Sequence, residues 1–489
     1  MMKKGSALLL GLCFSLGLFN MTGAWAETFQ YGPASVAPLA KKLSDAVVNI
    51  STSQTVKGPA GAPLPKVPKG APFEDFFDDF FNKRGGVPHG DRKISSLGSG
   101  FVIDGKEGLI VTNNHVIEGA EEIDVNFHDG SKLVVDKIIG RDTKSDLALL
   151  KVSPKKPLAD VPFGSSDALE VGDWVMAIGN PFGLGGSVSM GIISAKSRDI
   201  NSGPYDDYLQ TDAAINKGNS GGPLFDMNGK VIGVNTAIIS PTGGSIGIGF
   251  AVPSDTVSNV VEQLKQYGEV RRGWLGVKIQ SVTNDIAETL GLQENEGALV
   301  AAVTPDSPAS KAGLEPGDVI LKFDGKEVTS MRGLPKIVSQ APIGKAVDVE
   351  LLRKGKQEST KVTVGRLQED DDNASDLKSD SEDTNKEDPK GSNIIGMTLS
   401  PLTDALRKKF NLDAKLTGVV VEAVDPQSPA GTKGLKPGDV IVEAAQDSVS
   451  EPDDVAKSIE KVKKSGRKAV LLRVEDSKGD LRFVAVPVS

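Results

Sequence analysis

A run of eighteen residues occurs twice in this chain, at 303–320 and again at 424–441, with twelve positions identical. Both copies carry Ser-Pro-Ala, then Gly-Leu, then Pro-Gly-Asp-Val-Ile. A repeat of this kind means that one folding unit is used twice. The C-terminal half therefore has to form two similar small domains rather than one large one. Between the copies, residues 369–388 hold ten acids against two lysines and almost no apolar side chains. Such a segment cannot bury enough surface to fold, and self-repulsion keeps it extended. It carries −8 of the chain's net charge of −9. The remainder is close to neutral and offers no basic face to a nucleic acid.

Ahead of the repeats, residues 40–253 contain many short β-rich runs, among them 47–51, 109–111, 148–152, 174–178 and 231–236. Gly, Asn and Asp turns separate them. That density of short strands predicts an all-β barrel or sandwich assembly. The 55 glycines and few aromatics suit many tight turns better than a helical bundle. Residues 54–93 interrupt the pattern with Pro, Gly and Lys, then Phe73, Phe76, Phe77, Phe80 and Phe81. A loop of this length is functional or disordered. Its phenylalanines dock on another subunit, on a site, or on the parent domain.

The N-terminus reads as a secretion signal over residues 1–26. Lys3 and Lys4 precede an apolar stretch at 7–19, and Ala24-Trp25-Ala26 supplies the small-residue cleavage site. The stretch is too short to span a bilayer comfortably. The only cysteine, Cys13, leaves with it, so the mature chain needs no disulfide. The expected product is soluble outside the cytoplasm.

Three histidines are present. His89 sits at a loop tip and His128 in Phe-His-Asp-Gly, a hairpin turn. His115 alone follows a buried-strand pattern, Leu109-Ile110-Val111. Downstream, Gly218-Asn219-Ser220-Gly221-Gly222 places a serine among glycines. A serine hydroxyl needs a neighbouring base to become a nucleophile, and glycines beside it leave backbone N–H groups for an oxyanion. The same pentapeptide fits a nucleophile elbow, which requires a histidine after the serine. No histidine follows Ser220, so that reading fails. The order His, Asp, Ser fits the chymotrypsin arrangement. Asp146, at the start of the apolar run Leu147–Leu150, is the best acid, 31 residues after His115 and 74 before Ser220. Ser220 would attack, His115 would shuttle the proton, and Asp146 would fix the imidazole. The segment Gly218, Asn219, Ser220 would form the oxyanion hole, with the N–H groups of Gly218 and Ser220 as donors.

With Thr112-Asn113-Asn114-His115-Val116, Ser145-Asp146-Leu147-Ala148, Gln210–Asn216 and Gly218–Pro223 in order, the chain resembles the HtrA family of trypsin-like serine proteases. The likeness is to its periplasmic Do-type, DegP-like members with two PDZ domains. The resemblance implies a mainly β protein: a trypsin-like double β-barrel over 27–265 with a regulatory loop at 54–93, then α+β PDZ domains at 270–367 and 393–489. An acidic linker at 368–392 joins them. It implies that Ile215 and Ala237 line an apolar specificity pocket and that Thr236, Ala237, Ile238, Ile239 and Ser240 pair with the substrate backbone. The peptide-carboxylate loops fall at Trp274-Leu275-Gly276-Val277 and, more degenerately, at Ile395-Gly396-Met397. Arg198 matches an activation sensor, or is a plain surface arginine. Phe29 and Tyr31 are expected in trimer contacts. No cofactor or metal is expected.

The implied function is ATP-independent cleavage of unfolded or damaged proteins in the periplasm. C-terminal hydrophobic peptides would act at the PDZ domains of a homotrimer that assembles into cages, with peripheral association to the envelope. A holdase for unfolded envelope proteins is the alternative of another class. An esterase is a third, on shared triad chemistry alone.

Overall fold

The computed structural model describes residues 32, 35–56, 92–180, 186–240, 244–292, 295–368 and 392–488. The signal segment, Phe29, Tyr31, His89 and the phenylalanines at 73–81 lie outside these residues. No helix among the described residues is long and apolar enough to cross a membrane.

Thirteen described strands build the first half. β1 (Val47–Val56), β2 (Arg92–Asp104), β3 (Leu109–Thr112), β4 (Glu122–Asn126), β5 (Lys132–Val134), β6 (Lys137–Asp142) and β7 (Leu147–Lys151) form one antiparallel sheet, ordered β5-β4-β1-β2-β3-β7-β6. Its edge strands β5 and β6 are separated only by Val135 and Asp136. Val135 N–H donates to Ile123 and Asp136 N–H to Lys151, so the chain itself bridges the two edges. A second group closes directly as a six-stranded barrel, β10-β13-β12-β11-β8-β9. Its members are β8 (Trp174–Gly179), β9 (Ser187–Arg198), β10 (Tyr208–Thr211), β11 (Pro223–Asp226), β12 (Val231–Ile238) and β13 (Gly249–Pro253).

Strand side chains alternate between faces, and both faces are used. Ile110, Ala148 and Leu150 fill the first barrel with Val48, Ile50 and Val125. Their neighbours Val111, Leu147 and Leu149 point into the seam between barrels, against Met176, Ile178 and Phe225. The helix Ser254–Tyr267 closes that seam. Its Val257, Val260, Val261 and Leu264 form one buried stripe at helical spacing. Gly268 ends it at φ 74°, returning its N–H to the Leu264 carbonyl, a conformation glycine adopts without strain. Truncating Leu264 to Ala costs about 3 kcal/mol.

The expected 54–93 loop is shorter at both ends. Gln54–Val56 and Arg92–Lys93 continue the β1–β2 ladder as far as Val56 opposite Arg92, because backbone pairing there outweighs the polar composition. The segment outside the ladder is 57–91.

The repeats explain their shared signature. In each, the Ser of Ser-Pro-Ala caps a short helix: Ser307 Oγ accepts from Ser310 N–H and Ser428 Oγ from Gly431 N–H, both at 3.1 Å. Proline follows at the first helical position, where a missing N–H is harmless. In the first repeat the strands Val277–Ser281, Ala298–Val303, Val319–Phe323, Ala346–Arg353 and Lys356–Thr363 lie in chain order across one sheet. The helix Gly333–Gln340 inserts Leu334 and Val338 into its core. In the second, Ser392–Ile394, Met397–Pro401, Val419–Val424, Val440–Ala444, Ala469–Glu475 and Leu481–Pro487 do the same. Ser392, expected in the linker, is already a strand residue. The repeats also touch. Val282, Ile286, Leu290 and Leu299 share a small core with Leu471, Phe483 and Ala485. The Gln280 amide donates to the Phe483 carbonyl at 2.8 Å and accepts its N–H at 2.9 Å.

Candidate active site

His115 stands on a one-turn helix, Asn114–Ile117, immediately after β3. Asp146 ends the turn between β6 and β7 at φ 53°, a left-handed conformation that aspartate tolerates better than most residues. Asp146 is tied to His115 at two points and to the two residues before it at two more. Asp146 Oδ2 meets His115 Nδ1 at 2.6 Å, and Oδ1 accepts the His115 backbone N–H at 2.9 Å. The Asp146 carbonyl accepts the Asn114 N–H at 3.1 Å and the Asn113 side-chain amide at 2.7 Å. The carboxylate thus fixes both the ring and the backbone that carries it. Nδ1 is engaged, which assigns Nε2 to any other partner. Burial disfavours the His115 imidazolium, but the Asp146 charge, its hydrogen bond and the more distant Glu118 outweigh this and hold the pKa above the ordinary imidazole value.

Ser220 lies between β10 and β11, in a loop pressed against the first barrel. Its carbonyl accepts the Ser99 N–H at 2.8 Å. Gly221, at φ 83°, has no room for a side chain: a Cβ there would sit 2.3 Å from the Ser99 carbonyl oxygen, 2.4 Å from Thr112 Oγ1 and 3.0 Å from the Asn113 nitrogen. The serine loop therefore abuts the segment that leads into His115. Asn113 spans the same seam, donating to Thr236 Oγ1 of β12 at 3.1 Å.

The expected oxyanion segment divides. Asn219 N–H donates to the Asn216 carbonyl at 3.0 Å, so Asn219 is not a free donor. This corrects its place in the expected hole. Gly218, at φ 95°, has its carbonyl held by the Ser99 hydroxyl at 2.5 Å. That oxygen is thereby kept from competing for donors. The N–H groups of Gly218 and Ser220 have no recorded protein acceptor among the described residues.

Ile215 and Ala237 are both buried, and Gly249 lies against Ile215, where a Cβ would come within 2.8 Å. Asp212, the one acid in this stretch, accepts the Ile192 N–H at 2.7 Å and is committed to the wall of β9. β12 pairs with β13 along 233–238, but its ladder to β11 ends at Val234, opposite Pro223. Thr236, Ala237 and Ile238 therefore continue an edge beyond that ladder. Ile239 is half-exposed and bonds back to Ile248, and Ser240 follows it.

Arg198 closes β9 and donates through Nε to Gln210 Oε1 at 2.9 Å. The residues after it receive the first repeat: Asp199 and Asn201 bind Arg332, and Asp207 binds Lys336.

The first repeat's loop opens at Gly273–Trp274, which pairs with Gly365–Arg366. The Leu275 carbonyl accepts the Ala309 N–H. Gly276 has φ 81° and faces Ser307 with no space for a Cβ. Val277 then begins the edge strand. In the second repeat, Ile395 and Gly396 both have positive φ and form a two-residue turn. That turn pairs Ile394 with Met397 and Ser392 with Leu399. The expected loop there is a closed hairpin.

Ser99 and Asn113 knit the two barrels at the site, yet sequence reasoning gave neither a role. Their only local signals were Gly-Ser-Gly inside a strand and the Asn-Asn preceding His115.

The trypsin-like peptidase domain model matches residues 98–234, and the PDZ domain model matches 244–364 and 393–478. The first PDZ match begins before β13, which the structure seats in the second barrel. A "Probable periplasmic serine endoprotease DegP-like" from Brucella suis biovar 1 (strain 1330) is 41% identical over 524 aligned positions, covering 100% of this chain and 98% of the relative. A protein of the same name from Rhizobium meliloti (strain 1021) is 43% identical over 422 residues, covering 85% and 80%. The solved structure "HtrA-type protease AlgW with decapeptide" superposes with TM-score 0.55 at 38% identity, over 68% of this chain and 99% of that one. A trypsin-like domain followed by two PDZ domains, with near-complete coverage of such relatives, means that the chain belongs to the DegP-like, HtrA-type family of serine endoproteases.

Proposed function

We propose that Ser220, His115 and Asp146 are the catalytic residues of this protease. The observation that carries the reading is the double grip of the Asp146 carboxylate on His115, at Nδ1 and at the backbone N–H. Ser220 Oγ attacks the carbonyl carbon of the scissile peptide while its proton passes to His115 Nε2. The N–H groups of Gly218 and Ser220 receive the oxyanion, each donor contributing about 3 kcal/mol. Collapse breaks the C–N bond as His115 gives its proton to the leaving nitrogen. Water, deprotonated by the same imidazole, then attacks the acyl carbon, and the second collapse returns a proton to Ser220. Asp146 keeps the tautomer fixed and stabilises the imidazolium.

The substrate is an unfolded polypeptide. It adds a strand along Thr236–Ile238, which needs backbone freedom. Beside Ile215 and Ala237 it places a small aliphatic side chain, since a lysine or arginine would be buried unpaired. Relatives named as periplasmic, together with the signal-like segment 1–26, support export and cleavage after Ala26. Trp274–Val277 receives an apolar C-terminus, Arg198 and segment 57–91 regulate, and the working unit is a homotrimer.

Ser220→Ala, tested on a denatured protein, is expected to lower kcat by on the order of 10⁶-fold. Persistent cleavage would remove the triad assignment. Activity needs neutral His115, so the acid limb of kcat/KM is expected above the ordinary imidazole pKa. Glu118→Gln is expected to move it downward. An unmoved limb would show that Glu118 does not act on the base.

A further inference from the structure

We propose that Ser99 is a positioning residue for peptide hydrolysis. From β2 of the first barrel it holds two peptide planes of the serine loop, and these planes aim the Gly218 and Ser220 N–H groups. The proposal rests on the triad reading above, with those two groups as the oxyanion donors.

Ser99 is completely buried, and each of its polar atoms is committed. Its hydroxyl donates to the Gly218 carbonyl at 2.5 Å, and its N–H donates to the Ser220 carbonyl at 2.8 Å. Its own carbonyl accepts the Thr112 hydroxyl at 2.7 Å, on the strand that leads into His115. One residue therefore joins the loop of the nucleophile to the segment of the base. A serine that only filled the seam would need no hydroxyl, since alanine occupies nearly the same space.

The oxyanion donors lie on the peptide planes 217–218 and 219–220. The planes that alternate with them, 218–219 and 220–221, are the ones Ser99 holds. Its hydroxyl fixes the first through the Gly218 carbonyl, and the Asn219 N–H of that plane is tied to Asn216. Its N–H fixes the second through the Ser220 carbonyl. Gly218, at φ 95°, has no Cβ to restrain the planes on either side of it. Oxyanion donors act by being aimed before charge develops, so a loop with this freedom needs a hold from outside, and Ser99 supplies it.

The direction of the hydroxyl is fixed as well. Ser99 Oγ accepts the Asn180 N–H at 2.9 Å, which leaves its hydrogen for Gly218. Asn49 lies opposite Ser99 in the β1–β2 ladder. Its Nδ2 donates to the Asn180 carbonyl at 3.0 Å and to the Gly98 carbonyl at 3.2 Å. Asn126 Nδ2 donates in turn to Asn49 Oδ1 at 3.0 Å. Each link donates in the same sense, from Asn126 toward Gly218. Asn49, Asn180 and Ser99 are all buried, where hydrogen bonds are stronger than in water and rigidify what they join.

The test uses the full chain, a chromogenic peptide with a small aliphatic residue before the cut, and a peptide aldehyde of the same sequence. Ser99→Ala is expected to lower kcat about 10- to 100-fold, the scale of a slightly misplaced catalytic group. KM should stay within about twofold, since no substrate contact is removed. The aldehyde separates aiming from mere loosening. Ser220 Oγ adds to its carbonyl carbon, and the resulting oxygen takes the same two donors as the transition state. Its Ki should therefore weaken by about the same factor as kcat falls. Asn49→Ala leaves the Ser99 hydroxyl in place but loses the bond that steadies Asn180, and kcat should fall about threefold or more. A folded Ser99→Ala protein with wild-type kcat, or one whose kcat falls while the aldehyde binds as before, overturns the proposal. If Ser99→Ala does not fold, an unchanged kcat in Asn49→Ala overturns it instead. Failure of the triad reading looks different: Ser220→Ala would then keep its activity. An inactive Ser220→Ala beside a fully active Ser99→Ala removes the positioning role alone.

Discussion

In PDZ1 the strand Val277–Ser281 lies at the border of its sheet, and the residues before the loop are drawn away to pair with Gly365–Arg366. In PDZ2 the corresponding residues, Ser392–Ile394, turn back and pair with Met397–Leu399, covering the equivalent border. The turn is made by Ile395 at φ 44° and Gly396 at φ 83°, the two positive values of a tight hairpin. A β-branched residue in that region is strained by about 1–3 kcal/mol, so the hairpin must return at least that much. The repeated signature therefore specifies the scaffold: the serine cap, the proline and the buried aspartate. It leaves the border free to differ. One domain presents an edge to which a peptide can add a strand, and the other has filled that place with its own chain.

The comparison can be broken first at the glycines. Gly276→Val would set a Cβ within 2.3 Å of Ser307 Cβ at φ 81°. The expected cost of about 3 kcal/mol corresponds to a loss on the order of 100-fold in the Kd of an apolar C-terminal peptide, read by fluorescence anisotropy. Gly396→Val is as crowded, with Ser428 Cβ at 2.0 Å. It should lower PDZ2 stability while leaving that Kd alone. Equal loss of peptide binding from both would erase the distinction between the domains.

The shared aspartates come next. Asp318 is gripped by Arg353 through two bonds, at 2.7 and 2.6 Å. Asp318→Asn is expected to destabilise PDZ1 by about 3 kcal/mol in denaturant titrations. Asp439 has one bond from Arg482 at 2.7 Å. Burial raises its pKa above the ordinary carboxylate value, with Arg482 offsetting only part. The stability linked to a raised pKa is present below the unfolded pKa and is lost as pH rises through the folded one. Asp439→Asn should therefore cost less than about 1 kcal/mol at neutral pH. It should also flatten the fall in PDZ2 stability as pH rises through the folded Asp439 pKa. An unchanged pH slope would remove Asp439 as its source.

The weakest effect on peptide binding is expected from Ile394→Pro, which removes an N–H needed opposite Met397. It should cost PDZ2 about 1 kcal/mol and, in the Gly276→Val protein, restore a weak peptide response. If no response returns, covering the edge is not what silences PDZ2.

What could be read in advance follows the range of each interaction. The contact of His115 with Asp146 was anticipated because the proposed nucleophilic chemistry restricts residue type over a few positions and chain order does the rest. The apolar runs and their turns made an all-β barrel or sandwich legible, and the two barrels followed only from the family resemblance. The ends of the 54–93 loop were misjudged because Gln54–Val56 and Arg92–Lys93 are strands only by virtue of each other. Ser99 reaches Gly218 across 119 residues, and Arg272 reaches Asp142 across 130. No local pattern announces such partners. Ile395-Gly396-Met397 was picked out as a binding loop, yet the sign of the Ile395 φ decides the matter, and residue type alone argues against that sign.

The β1–β2 ladder runs three pairs beyond the last contact of β1 with β4, at Ser53. It brings the ends of segment 57–91 together at about one strand spacing, roughly 5 Å, on a short stem outside the sheet. A segment rooted this way can double in length for about 0.6 kcal/mol of closure entropy, because the pairing of Val56 with Arg92 fixes its two ends. The stem is thus a port for foreign sequence. A tag or a small folded module grafted there should leave the melting of both barrels where it was.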